Sequence, residues 1–317
     1  MNGATRAPAR VRAGALTRVP AGRPAPVPAG VASMPAGGPA RMPLAAAESA
    51  LRAVIEAVTA GGRPPARARA AVAGAYADLW ACQRLGHAAA ERPAAAVVAR
   101  YLSPRLLLDG ADGLAAALGA RLHETGGPAA RYRDQVRRLE AAASAPGAAA
   151  RTRDVAARLP ALAAGDDRLA RPVTAAPAQA LPRALGALVR VLEEERAELV
   201  VRATALTRPD GPGNEGGGPG PWALADRYAL LTAAAACLDG WRVPGSPRLR
   251  RSGDRICLVA ALHRLVIGLS RSVPTRAATE WRDEVYEVAV TLGGPPDAGT
   301  GPTRPPFGRP APALTAV

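Results

Sequence analysis

Lysine is absent from the 317-residue chain, so every basic residue is arginine. Aromatic residues make up only 3%, and the single phenylalanine, Phe307, lies in a proline-rich stretch. So few rings exclude a core built on aromatic stacking; Ala, Leu and Val must fill it, which favours closely approaching helices over sheets. No stretch alternates apolar and polar residues with β-branched side chains, as a strand would. The three cysteines, Cys82, Cys237 and Cys257, lie far apart in apolar segments with no C-x-x-C or Cys/His spacing, which excludes a zinc site of the usual kind. They read as buried, reduced thiols of a cytoplasmic protein.

Three histidines (His87, His123 and His263) are too scattered for a ligand set, and no H-E-x-x-H or E-x-x-H occurs, so no metal is expected. Each is read as a surface or hydrogen-bonded histidine. No G-x-S-x-G elbow is present, and "GNEGGGPG" lacks the Lys-Ser/Thr of a phosphate loop. The longest apolar run, "ICLVAALHRLVIGLS" from Ile256, is interrupted by His263 and Arg264 and is too short to span a bilayer; no membrane is expected.

What is abundant is arginine, alanine, glycine and proline. The formal net charge of +15 invites a nucleic-acid partner, but residues 1–43 alone hold six arginines and no acid, and the rest are spread along helices. Phosphate recognition needs clustered charge, so no nucleic-acid partner is expected.

The residues read as an all-α, up-and-down helical bundle. Residues 1–43 and 293–317 are Pro/Ala/Gly-rich and aperiodic, and are expected to be disordered tails. A helical bundle is expected over 44–165 and a helical extension over 180–292, with a flexible loop at 209–221. Proline and glycine mark the helix ends: Gly61-Gly62 closes the first helix, Pro93 the second, and Pro104 is expected to kink the third. In "PRALGALVRVLEEERAELVVRATAL", Leu185, Val189, Leu192, Leu199 and Leu206 form an a/d seam, interrupted at Arg196, with Glu198 and Arg202 one turn apart on the wet face. That seam is expected to be exposed and to receive a partner helix.

Two stretches, "GGRPPARARAAVAGAYADLWACQRLGHAAAE" and "ALGARLHETGGPAARYRDQVRRL", occur in that order. Together they resemble the carboxy-terminal helical domain of acyl-coenzyme A dehydrogenases. In that family an Arg-x-x-Phe-Gly-x-Pro turn opens a long helix; Gly61-Gly62-Arg63-Pro64 leading into "AVAGAYADL" looks like it. A later helix in the family ends in Gly-Gly, followed by a Glu, a Pro and an Arg-Tyr-Tyr-Arg-Asp string. Here "LGA", Glu124, Pro128, Arg131-Tyr132 and Arg133-Asp134 are similar. The resemblance covers about residues 50–160 directly. More loosely, "DRYALLTAAAACLDGW" resembles the helical extension of some actinobacterial members.

The resemblance implies flavin adenine dinucleotide (FAD) as cofactor, an acyl thioester as substrate, and oligomers in which the two turns touch flavin across a subunit interface. The cofactor-binding candidates it carries over are Gly62, Arg63, Gly119 and Ala120, the second turn being Leu118-Gly119 or Gly119-Ala120. The family's catalytic base, a Glu, falls between about residues 139 and 147, where Glu140 is the one carboxylate. The departures are specific: Val58 and Gly61 replace the Arg and Phe of the first turn, and the Gln before the second turn is missing. No counterpart of the family's amino-terminal helical domain or β-barrel is read upstream. The resemblance therefore implies an incomplete or accessory subunit, either a homo-oligomer or paired with a full-length dehydrogenase. The alternative is a non-catalytic helical scaffold in which the flavin site has decayed.

Overall fold

A computed structural model describes residues 41–145, 147–173, 181–207, 220–242, 252–270 and 280–293, and every regular element among them is helical. The expected tails and the loop at 209–221 lie almost wholly outside the described residues. Helices α1 (Arg41–Thr59), α2 (Ala66–Glu91), α3 (Pro93–Leu118) and α4 (Gly127–Ala143) pack side by side. Two short helices, α5 (Ala148–Ala156) and α6 (Leu159–Ala163), lead to α7 (Arg183–Thr207), α8 (Pro221–Arg242), α9 (Ser252–Gly268) and α10 (Trp281–Gly293).

The architecture is set by α2. Residues 72–82 are buried without interruption, about three turns of helix with no wet face. A helix apolar all round must be covered all round: α1 and α3 pack on it, and so do α8, α9 and α10. The segments 44–165 and 180–292 therefore build one core together, with α2 at its centre. The same sequence that lacks an amphipathic stripe supplies small residues for close approach. At Gly110 of α3 a Cβ would stand 3.3 Å from the Ala75 backbone Cα and 3.4 Å from Asp78 Oδ2.

Most helix boundaries follow the punctuation read from the sequence. α3 runs through Pro104, which is buried inside a single helix, as the residue expected to kink it and not to end it. The seam on α7 needs correction. Leu185, Val189, Leu192 and Leu199 are all at most 1% exposed, because α7 lies against α6, α8 and α9, and only Leu206 at the helix end is open. The apolar stripe is real; its partner is the rest of this chain. Arg196, the interruption, pairs with Glu193 at 2.7 Å and donates to the Leu169 carbonyl, and Arg202 pairs with Glu198 as expected.

Among the described residues no helix is long and apolar enough to cross a membrane.

Gly110→Val tests the close packing. The added branches have backbone on the facing side, so overpacking should cost about 1–3 kcal/mol in urea unfolding. An unchanged midpoint would show that α2 and α3 are not held this closely.

Candidate functional site

The two glycine turns come together. After α1 the chain turns through Gly62, whose φ of 96° lies in the left-handed region, and after α3 it turns through Gly119 at φ 54°. Arg121, in the 3₁₀ helix Gly119–His123, donates to the Ala57 carbonyl of α1, and its Nη2 lies 3.7 Å from where a Cβ on Gly61 would stand. One arginine side chain thus ties the α1–α2 turn to the α3–α4 turn. Gly62, Arg63, Gly119 and Ala120 are all exposed, and nothing lies within 4 Å of a Cβ built on Gly62 or Gly119. The backbone there is open to a flat or anionic group.

The string from Glu124 to Glu140 braces these turns. Pro128 sits in the first turn of α4, where its missing N–H leaves no acceptor unmatched. Arg131 grips both carboxylate oxygens of Glu56 at 2.8 and 2.7 Å. Tyr132 is buried and donates to the Ala111 carbonyl at 2.6 Å; burial pushes its hydroxyl up to about 12. Arg133 donates to the carbonyls of Leu122 and Glu124, holding the 3₁₀ turn against α4.

Glu140 is not brought to this end. It is exposed near the C-terminus of α4, thirteen residues beyond Gly127, which at 1.5 Å per residue is roughly 20 Å along the helix.

The four turn residues suit an edge contact with FAD, but the described residues do not fit the whole group. An isoalloxazine ring needs walls on several sides, and these turns face outward. The cavity among α1–α4, lined by Ala50, Ala75, Leu107, Gly110 and Leu139, has a volume of about 10 Å³. That is room for one water. No step of flavin chemistry follows from the described residues.

The pairing of charged groups inside the core was not read from the sequence. Asp78 of α2 is 2% exposed and is held by Arg264 of α9 in a bidentate pair, Nε to Oδ1 at 3.0 Å and Nη2 to Oδ2 at 2.6 Å. Burial pushes the Asp78 carboxyl up to about 6 even though Arg264 draws it down. Burial also opposes the Arg264 charge, but the bond to Asp78 wins and holds the guanidinium above its ordinary range. Asp167 caps a short turn by accepting from Leu169 N at 3.0 Å and takes the Tyr228 hydroxyl at 2.7 Å. Glu195 of α7 pairs with Arg227 of α8 at 3.4 Å. The signal for the first pair was there: Asp78 is the one acid in "AVAGAYADLWAC", and Arg264 the one charge in the run from Ile256.

His263 also needs correction, being neither exposed nor hydrogen-bonded at Nδ1: it is 2% exposed and that nitrogen is buried without a partner. His87 is exposed and its Nδ1 lies 2.7 Å from the Gln83 carbonyl, and His123 is exposed. The three cysteines are free and buried, and burial pushes Cys237 and Cys257 up to about 12, far from reactive thiolates. Among the described residues no three His, Cys, Asp or Glu side chains gather as a metal set.

Comparison with protein-family models, with curated proteins and with solved structures finds no match.

Arg264→Met tests what the buried pair does. Removing the guanidinium leaves Asp78 without its partner; since 33% of the Arg264 side chain is open to solvent, the loss at pH 8 should sit near the low end of the buried-pair range, about 3 kcal/mol. Burial raises the Asp78 carboxyl and Arg264 draws it down, so without the guanidinium it takes up a proton at a higher pH than in the wild type, and being neutral at acid pH it no longer needs a partner. The deficit of the variant should therefore shrink between pH 8 and pH 5. A deficit of equal size at both pH values would contradict a buried, proton-sensitive Asp78.

Proposed function

We propose that the chain is a helical protein of the acyl-coenzyme A dehydrogenase type, acting as an incomplete or accessory subunit in FAD-dependent oxidation of an acyl thioester. The observation that supports this reading is the convergence of Gly62-Arg63 and Gly119-Ala120 at one open, arginine-lined end of α1–α4. The sequence separates these turns by more than fifty residues. Desaturation of a thioester needs a base on one side of the substrate, a hydride acceptor on the other, and water kept out. This chain offers one wall of such a site, and a full-length dehydrogenase would supply the remainder, including the base.

A second reading, a non-catalytic helical scaffold whose flavin site has decayed, is favoured by the position of Glu140. A base about 20 Å along α4 from the turns cannot serve a group seated on them.

Co-expression with a full-length dehydrogenase from the same genome separates the two. The subunit reading expects a stable complex with visible flavin absorbance. Arg63→Glu should lower flavin occupancy about tenfold while the complex persists, the size of one charge-assisted hydrogen bond lost. A complex without flavin, or no complex, removes the enzymatic reading.

A further inference from the structure

We propose that α10 is an acid-released strap: protonation of His263 on α9 undocks α10 from α9 and α2.

His263 packs its ring against Trp281, the first residue of α10, at 5.6 Å between centroids and 58° between planes. Both rings are almost wholly buried, and both His263 Nδ1 and Trp281 Nε1 lack partners. A neutral imidazole in this place is a flat apolar contact. An imidazolium adds a buried charge and a second donor, with no acceptor bonded to Nδ1.

The surrounding charges make the proton less welcome. Arg264 follows His263 on α9 and Arg282 follows Trp281 on α10; both repel a positive imidazole. The acids on neighbouring elements are engaged elsewhere. Asp78 of α2 is held by Arg264, Glu195 of α7 is paired with Arg227 of α8, and Asp283 of α10 is held by Arg69 of α2 at 2.9 Å. Glu284 and Glu287 of α10 are exposed. Asp254, at the start of α9, is nine residues away, about 14 Å along the helix.

Among the described residues α10 is held by burial of Trp281, Val285, Tyr286 and Ala289, with Val288 and Val290 partly buried beside them. The Asp283–Arg69 pair is on the surface, where an ion pair adds little. Burial first, then Arg282 and Arg264, lower the affinity of His263 for a proton in the docked state. The docked state is therefore fully favoured above the ordinary 6.5 and loses ground as pH falls toward the depressed folded value. Release of α10 leaves the Asp78–Arg264 pair, which joins α2 to α9, in place.

Hydrogen exchange of the full chain, followed in the peptide covering Trp281–Gly293 from pH 8 to pH 5 and corrected for intrinsic exchange, tests this. One proton taken up on opening predicts an opening constant that rises about tenfold per pH unit below 6.5. His263→Phe, which keeps the ring contact, should abolish that slope. A flat profile in the wild type, or the same slope in the variant, overturns the proposal. Should His263→Phe fail to fold, NMR titration of the wild-type imidazole decides instead. A ring still neutral well below pH 6.5 in the docked protein supports the strap, and protonation at the ordinary 6.5 overturns it.

Discussion

A helix buried on every side cannot carry an unpaired charge, and α2 carries Asp78. That constraint orders the rest of the molecule. Covering α2 takes helices from both ends of the sequence, and neutralising Asp78 takes Arg264, 186 residues away. The guanidinium suits the task because its planar fork meets both carboxylate oxygens at once, which a lysine cannot do. Arginine ties elements together further out as well, there with one oxygen for each guanidinium. Asp239 of α8 receives Arg92 at 2.8 Å, from the junction of α2 and α3, and Arg168 at 3.1 Å. A chain whose cations are all arginine is well equipped to tie helices together through forked pairs.

Much of the fold was legible because proline and glycine mark several helix ends for local reasons. Gly61-Gly62 after α1 and Pro93 at the start of α3 are examples. The a/d seam of α7 was legible as a stripe but not as an interface. Periodicity shows that Leu185, Val189, Leu192 and Leu199 need cover, and cannot show whether α8 and α9 or another chain provides it. Pro104 stands inside one continuous helix, where it removes a backbone hydrogen bond, and the packing of α3 against α2, α1 and α4 supports the helix across it.

The candidate site was legible in part. Its turns were picked out by the resemblance, and the reach of Arg121 from one to the other was not, because nothing local in "LGARLHE" says where a flexible side chain will find its acceptor. Glu140 was chosen by its place in a window of sequence, and helical rise carries it away from the turns. Arg131 and Arg133, part of the string that carries the resemblance, hold Glu56 and the turn carbonyls. Asp78 escaped notice, and His263 was read as an ordinary histidine, because a single polar residue in an apolar helix is an ordinary interruption until its burial is known.

The central claim is that the two halves of the sequence share one core around α2. It is tested most directly by expressing residues 41–173 alone and following urea unfolding beside the full chain. Without α8, α9 and α10, one face of α2 and the Asp78 carboxylate lie bare, so the fragment should lack a cooperative transition and bind a hydrophobic dye. A fragment that unfolds cooperatively with the stability of the whole protein would contradict the account.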